Sequence, residues 1–407
     1  MRILHLTPEL PFAPGGGGGQ THEFFLLRRL AELGHDVLNI SPAEPRWMAH
    51  TDALREVGVR NWVAPRPASQ PLEAARALLE DPCVLATALT GPVRALEMRV
   101  FWRRLAPLVQ RAIAEHRPEV VVVGHDMAAA WAQAIPREIP AVLTLHNLTW
   151  RWYESRARLA GGSRAALLRA EGARYRRHVL RTLDRYDLLL PVSTQEADEL
   201  RALTAKRVEL LPIGVDTQVL APTPDAGADP PRFLFTGTMS YPPNAEGARW
   251  LAAEVWPLVR AQLPQAQLTI VGKDPPAAVK ALDGRAGIEV AGFVESMVPY
   301  FEQATAVLVP IRTGAGIRVK IIEAMSAGRA IVSTSLGWEG MVGVESGRHL
   351  LVADAPADFA AAAVRLIGEP QTRTAMAGAA RELAVREYDW RSLGNRLGEL
   401  LDSCTSR

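Results

Sequence analysis

Short apolar, β-branched runs recur along the chain: RILHL, VLNIS, VVVVG, AVLTLH, LLLPVS and VELLP in the first half, then RFLFTG, QLTIVG, IEVAG, AVLVP, AIVST and HLLVA after residue 230. Most are separated by segments with helical spacing. In FFLLRRLAEL the apolar positions fall on one stripe, which predicts a helix from Thr21 to Leu33, stopped by Gly34. Strands that alternate with helices predict parallel sheets covered by helices on both faces. The pattern breaks at APTPDAGADPP, residues 221–231, which has no periodicity and reads as a linker. The strands divide evenly around it. The expected architecture is α/β: two doubly wound domains facing across a cleft. The expected boundaries are residues 1–220, the linker 221–231, residues 232–386, and a terminal helix over 387–407 crossing back to the first domain. Residues 66–116 interrupt the alternation with a helical insertion rich in Arg, Leu and Ala. It admits two readings, a solvated arginine face or an acceptor-side or membrane-surface helix.

Composition narrows the function classes. A chain of 407 residues is long for one core, and 48% hydrophobic residues supply ample material for two. Charges of both signs are mixed and the formal net charge is only +2, so no global field favours nucleic acid. The two cysteines, Cys83 and Cys404, form neither a disulfide framework nor a paired metal motif, which favours a reducing, cytoplasmic setting. MRILHLTPELPF lacks the apolar length of a signal peptide, and no run of about 18 apolar residues predicts a membrane span.

Two glycine-bearing loops carry the candidate chemistry. The first strand leads into GGGGGQTHEFF, and glycines before a helix start let backbone N–H groups approach an anion. This run is neither a P-loop nor a dinucleotide fingerprint, since no lysine follows and Gln20 succeeds Gly19. By itself it reads equally as a loop without a ligand. The second loop is PIRTGAGIRVKIIEAMSAG, residues 310–328. Gly314 and Gly316 permit close approach, and a helix is expected to begin near Ile317. Arg318 and Lys320 then sit on its first turn, where cations oppose the macrodipole at about 0.3–1 kcal/mol each. One reading has them pointing into water, with Lys320 paired to Glu323; the other has them waiting for a polyanion. Both loops follow the carboxyl ends of strands, where open α/β sheets bind ligands.

The order of motifs resembles the GT-B glycosyltransferases, specifically family 4, the retaining group 1 enzymes. The resemblance is carried by GGGQTHEFFLLRRLAELGHDV, LTLHN (143–147), PVSTQEADEL (191–200), LPIGVDT (211–217), FTGTMSYPPNAEG, LTIVGKDPP, VAGFVESMVPYFEQATAVLVP and the 310–328 stretch. It implies two Rossmann-like domains, and a nucleotide diphosphate sugar held mainly by the C-terminal one. The implied reaction is transfer of that sugar to an acceptor hydroxyl, with no metal and no cofactor beyond the sugar-nucleotide co-substrate. On this resemblance Glu323 binds the ribose. Gly17, Gly18, Gly237, Gly316 and Val319 line the donor, Phe293 and Val294 frame the base, and Glu339 lies near the donor. Gly272 marks a strand-end turn, and Lys273 is a further candidate nucleotide contact. Three positions depart from the family pattern. Ala315 stands where many members have the first glutamate of Glu-x7-Glu, and Thr238 and Asn244 stand where many have a diphosphate-binding arginine and lysine. Two cations lost from one loop and two gained in another suggest that Arg318 and Lys320 supply relocated diphosphate charge. The G-x-G-x-R-x-K-x-x-E-A pattern resembles a subgroup tied to polysaccharide and other cell-surface glycan synthesis.

On the acceptor side, His146 ends a strand and by resemblance sits near the reacting sugar; a strand-capping structural role is the other reading. His22, Trp150 and Trp152 are further acceptor-side candidates, the tryptophans because aromatic faces stack on sugars; the other readings are a surface role for His22 and core packing for the tryptophans. Glu154 follows them in the same segment. His125 and Asp126 either line the site or cap a loop. No carboxylate in the first half declares itself as a nucleophile, which fits a front-face mechanism in which the departing phosphate assists the acceptor. Expected partners are a nucleotide-sugar donor and a glycan, lipid-linked or small-molecule acceptor, with the arginine-rich insertion as the candidate for peripheral contact at the inner membrane face. Two other functions remain open: an NDP-sugar epimerase, and a non-catalytic sugar-nucleotide or glycan-binding protein.

Overall fold

A computed structural model describes residues 1–405 except 14, 16, 67–69, 224–228 and 315, with the side chains of all of these but 70–74 and 159. The chain forms two compact units. The first comprises Met1–Ile213 and the segment from Leu393 onward; the second is Gly214–Ser392.

The first unit is built on a seven-stranded sheet: β1 (Arg2–Leu6), β2 (Asp36–Ala43), β3 (Arg60–Pro65), β4 (Val120–Gly124), β5 (Ala141–Leu145), β6 (Leu188–Pro191) and β7 (Arg207–Val208). Their order is β3-β2-β1-β4-β5-β6-β7, and every neighbouring pair is parallel. VVVVG and AVLTL are buried at every position, as strands covered on both faces require. RNWVAP is a strand that the apolar pattern does not announce: Trp62 and Val63 are only half-buried, so β3 lacks the continuous apolar run of its neighbours.

Among the described residues eight α-helices alternate with or follow these strands. They are α1 (Gly18–Glu32), α2 (Ala53–Glu56), α3 (Gln70–Glu80), α4 (Pro82–Thr90), α5 (Val93–Glu115), α6 (Thr149–Leu159), α7 (Gly162–Thr182) and α8 (Thr194–Leu203). Helix α1 starts inside the glycine run, earlier than the expected Thr21, and Gly34 at φ +85° ends it. The insertion is helical as expected, but α5 is a core helix. Met98, Phe101, Trp102, Leu105 and Val109 join the central apolar cluster, while Arg94 and Arg111 pair with glutamates on the other face.

The second unit holds β8 (Arg232–Thr236), β9 (Gln267–Val271), β10 (Ile288–Gly292), β11 (Ala306–Val309), β12 (Ala330–Ser333) and β13 (Leu351–Val352). These pair in the order β10-β9-β8-β11-β12-β13, again all parallel. The unit begins at Gly214, before the expected linker, for a visible reason. Val215 N–H donates to the Tyr388 carbonyl at 2.8 Å, Thr217 bonds Asp389, Arg381 reaches the Thr217 carbonyl at 2.8 Å, and Ser326 Oγ donates to the Leu220 carbonyl at 2.9 Å. Residues 214–220 are thereby tied to the second sheet's helices. At the other end the helix Trp390–Thr405 returns to the first unit, where Leu393, Leu397 and Leu401 are buried.

Candidate functional site

In the first unit a buried polar constellation sits at the carboxyl end of the sheet. The stripe of α1 that faces inward carries Gln20, Glu23, Leu27 and Leu30, spaced three and four apart, so one carboxylate is driven into the interior with the leucines. An isolated buried carboxylate is costly, and Glu23 is only 3% exposed. Its partners come from two strands. Oε2 lies 2.6 Å from His5 Nε2 on β1, and Oε1 lies 2.6 Å from His146 Nε2 after β5 and accepts from Thr144 Oγ1 at 3.1 Å. Burial alone would raise the carboxyl's pKa, but His5 and His146 hold it well below the usual range. Burial would lower His5, and Glu23 more than offsets that and raises it.

His5 continues the network sideways. The register places His5, Asn39 and Asn61 beside one another on β1, β2 and β3. His5 Nδ1 is 2.7 Å from Asn39 Oδ1, and Asn39 Nδ2 donates to Asn61 Oδ1 at 2.8 Å. Glu23 thus orders both imidazoles. With Glu23 ionised, His146 Nε2 carries the proton, so Nδ1 is the acceptor of the neutral ring. That nitrogen faces the start of α1: a Cβ at Gly19 would lie 2.8 Å from it. Gly17, the N-cap of α1, donates to Gln20 Oε1 at 2.9 Å, and Gln20 Nε2 donates to the Leu10 carbonyl at 3.0 Å, which pins the loop. Gly18 is the first helical residue and has open space where a Cβ would go. His22 and His125 stand edge-on to His146, with centroids 5.3 and 5.4 Å away. Burial, then the neighbouring His146, pushes His22 down to about 3, so it stays neutral.

The second unit carries its own polar edge. The turns after β8, β9 and β10 lie side by side: Gly237 N–H donates to the Val271 carbonyl, Gly272 N–H to the Gly292 carbonyl, and Met239 N–H to the Lys273 carbonyl. Gly272 is so close to its neighbour that an added Cβ would sit 1.7 Å from the Gly237 carbonyl oxygen. The helix Val319–Ser326 presents its start to this edge. Here two expectations are corrected. The helix begins at Val319 rather than Ile317, so Arg318 is its cap residue and Lys320 its second residue. Neither cation points into water: Arg318 is 9% and Lys320 8% exposed.

Lys320 Nζ does not pair with Glu323. It donates to Asn244 Oδ1 at 2.7 Å, rests 4.5 Å above the Phe235 ring, and would be 2.7 Å from a Cβ on Gly237. Asn244 in turn donates to the Thr238 carbonyl at 2.8 Å. Lys320 therefore delivers its ammonium to the β8 turn, beside the two positions that depart from the family pattern. Burial, then Arg318, pushes its pKa down to about 7, with Glu323 acting the other way. Arg318 donates to the Gly316 carbonyl, and its Nε is buried without a hydrogen-bond partner among the described residues. Burial raises the Glu323 carboxyl, and Lys320 opposes that rise. Phe293 is 72% exposed just past β10, with Val294 half-buried beside it and Lys273 exposed on the neighbouring turn. Glu339, also exposed, acts on Arg318 electrostatically from the loop after β12. Gly314 (φ +101°) and Gly316 (φ +88°) require left-handed backbone. Ala315, which replaces the first glutamate of Glu-x7-Glu, lies outside the described residues.

Some expected residues are elsewhere. Trp150 is 1% exposed in the core, with its indole N–H donating to Glu199 at 2.7 Å, so it has no face for a sugar. Trp152 is half-buried between the Tyr153 edge at 5.1 Å and the Arg156 guanidinium at 4.9 Å. Asp126 accepts from Thr149 N–H and Thr149 Oγ1, both at 2.8 Å, and so ties down the start of α6. His5 and Glu23 were not singled out from the sequence. The usable signal is a carboxylate inside the apolar stripe of α1 and a histidine interrupting the apolar β1.

Comparison with known proteins gives the family and the fold. Residues 16–219 match the family described as Glycosyltransferase Family 4, and residues 230–369 match glycosyl transferases group 1. A Klebsiella pneumoniae protein, described as an uncharacterized 44.6 kDa protein in a cps region, is 30% identical over 135 residues, covering 31% of this chain and 34% of that relative's length. Sucrose-phosphate synthase from Thermosynechococcus elongatus superposes with a TM-score of 0.68 at 18% identity, covering 100% of both chains. Anabaena HepE, in complex with UDP, superposes with a TM-score of 0.67 at 15% identity, covering 99% of this chain and 100% of that one. The two parallel sheets are the Rossmann-like halves of the GT-B fold, and the chain belongs to glycosyltransferase family 4 as a sugar-transferring enzyme.

Proposed function

We propose that the protein is a retaining glycosyltransferase that moves a sugar from a nucleoside diphosphate donor to an acceptor hydroxyl, in cell-surface polysaccharide or glycoconjugate synthesis. The observation that carries this reading is the Lys320 ammonium held between Gly237 and Asn244 at the end of β8. A buried, underprotonated lysine next to an arginine is an unfavourable arrangement until a polyanion enters. A diphosphate there would restore the full charge of Lys320 and engage Arg318, whose Nε is buried and unpartnered among the described residues. The Glu323 carboxylate, one turn along the helix, suits a ribose hydroxyl, and exposed Phe293 suits a base. That HepE is in complex with UDP supports a nucleotide donor of the same kind. The polysaccharide role rests on the G-x-G-x-R-x-K-x-x-E-A pattern.

In the reaction the bond from sugar C1 to the phosphate oxygen breaks, and the acceptor oxygen bonds C1 on the same face. The acceptor's proton passes to the departing phosphate. Arg318 and Lys320 stabilise the charge that develops on that phosphate, while His146, oriented by Glu23, positions the acceptor or donor sugar. No metal is called on, and turnover is expected to survive chelator. Screening UDP-, GDP- and dTDP-sugars by thermal shift identifies the donor. With it, Lys320→Met is expected to lower kcat by about 10²–10³ while the donor Kd changes less, and NMR of the product is expected to show the donor's anomeric configuration. Unchanged turnover in the variant, or an inverted product, overturns the reading. An epimerase would instead convert the donor sugar with no acceptor present, and a binding protein would release no nucleotide.

A further inference from the structure

A cavity of about 930 Å³ opens in the first unit between α6, α7 and α8. That volume lies within the range of small-molecule sites, about 300–1,000 Å³. Five arginines line it: Arg158 on α6 and Arg169, Arg176, Arg177 and Arg181 on α7. The α7 residues recur every seven, one and four positions, and Gly172, Ala173 and Leu180 lie on the same face, so the cations frame a floor of small and apolar groups. Gly172 lets α6 and α7 approach closely at that floor, because a Cβ there would come within 2.9 Å of Tyr153 Cβ on α6.

What sets this face apart is the number of arginines converging on one concavity. Many exposed helical arginines elsewhere pair within a turn, as in Arg28–Glu32, Arg94–Glu97, Arg201–Asp198 and Arg365–Glu369, though Arg76 and Arg249 do not among the described residues. None of the five cavity arginines makes an ion pair among the described residues. Three carboxylates also line the wall, Glu154, Asp184 and Glu199, but Glu199 is already engaged by Arg151 at 2.5 Å and by Trp150 at 2.7 Å. Arg177 and Arg181 stand one turn apart as like charges, an arrangement that disfavours the bare helix by about 0.2–0.5 kcal/mol. Guanidinium groups are planar forks matched to phosphate oxygens, and several converging on one concave floor suit more than one phosphate.

We propose that this cavity binds a phosphorylated polyanion, a pyrophosphate-bearing small molecule or a phosphate headgroup, independently of the donor edge in the second unit. Inorganic pyrophosphate titrated calorimetrically into the full-length protein is the first probe. Vesicles of phosphatidylcholine, with and without phosphatidylglycerol, are the second. The variant is Arg176→Gln/Arg177→Gln/Arg181→Gln, since glutamine keeps the helix, and Lys320→Met separates this site from the donor edge. Binding at least tenfold weaker in the triple variant and retained in Lys320→Met supports the cavity. Pyrophosphate binding assigns a free ligand, and sedimentation with phosphatidylglycerol vesicles alone assigns a headgroup. Equal binding by the triple variant, loss of all binding in Lys320→Met, or no binding to either probe overturns the proposal. Turnover of the triple variant with donor and acceptor separates this outcome from failure of the transferase reading, since its residues belong to the first unit and Lys320 to the second.

Discussion

At the residue scale, two buried ionisable groups carry the testable chemistry. Glu23 sits between His5 and His146, and removing one member of a buried ion pair costs about 3–5 kcal/mol. Glu23→Ala is expected to lose stability of that order in urea unfolding. Glu23→Gln keeps the volume but no longer dictates which His146 nitrogen holds the proton. Its expected signature is reduced kcat with little change in donor Kd, and non-additivity with His146→Ala in a double-mutant cycle; additive losses would show that the two act separately. Lys320 gives a pH test with a definite sign. Its folded pKa is about 7, whereas an unfolded lysine holds its proton to about 10.4. Below pH 7 the ligand-free fold carries the whole cost of the buried charge. Between those values the unfolded chain binds more protons, so stability rises with pH relative to Lys320→Met. A flat difference between the two proteins from pH 6 to 9 would contradict a buried, depressed lysine. Nucleotide binding at pH 8 is expected to take up a proton in the wild type and none in Lys320→Met, read from calorimetry in buffers of different ionisation enthalpy.

At the element scale, the parallel strands were legible because their apolar runs are continuous, as in VVVVG and AVLTL. β3 was not, because a half-buried edge strand ending in Pro65 lacks that run. The polar row of His5, Asn39 and Asn61 is visible in the sequence only as isolated interruptions; the register that aligns them is a property of the sheet. The same holds for Lys320. Its spacing to Glu323 suggested a helix-surface pair, but the helix Pro242–Trp250 that follows β8 approaches closely enough for Asn244 to take the ammonium instead. Long-range approach of this kind depends on glycines that look unremarkable in sequence. Gly272 has φ +158°, a backbone that L side chains rarely adopt, and its Cβ position is occupied by the Gly237 carbonyl. Gly272→Ala is expected to push the β8 and β9 turns apart. The cost is about 1–3 kcal/mol or more, with a larger loss in nucleotide binding than in the melting temperature of the first unit. Gly19→Ala, which crowds His146, is expected to lower turnover while leaving nucleotide affinity intact.

At the scale of the whole molecule, the chain passes between its two units twice, after Ile213 and after Ser392, so the first unit is completed only by the last helix. That helix buries Leu393, Leu397, Leu400 and Leu401, and it ties back through Asn395 to Arg29 at 3.0 Å and through Ser403 to Arg207 at 2.7 Å. Gly394 admits α1 closely, with an added Cβ only 2.3 Å from Arg29 Cγ. Each fully buried leucine contributes about 1.5–3 kcal/mol. Four of them therefore rival the whole stability of a domain, about 5–15 kcal/mol. A chain truncated after Ser392 is expected to lose hydrogen-exchange protection in β1–β7 and to retain it in β8–β13, because the second sheet's contacts to residues 214–220 and 388–389 stay intact. Its nucleotide binding through Lys320 and Glu323 should survive while transfer to an acceptor is lost. Full protection of the first sheet in the truncated chain would show that the helix is an attachment rather than part of that core.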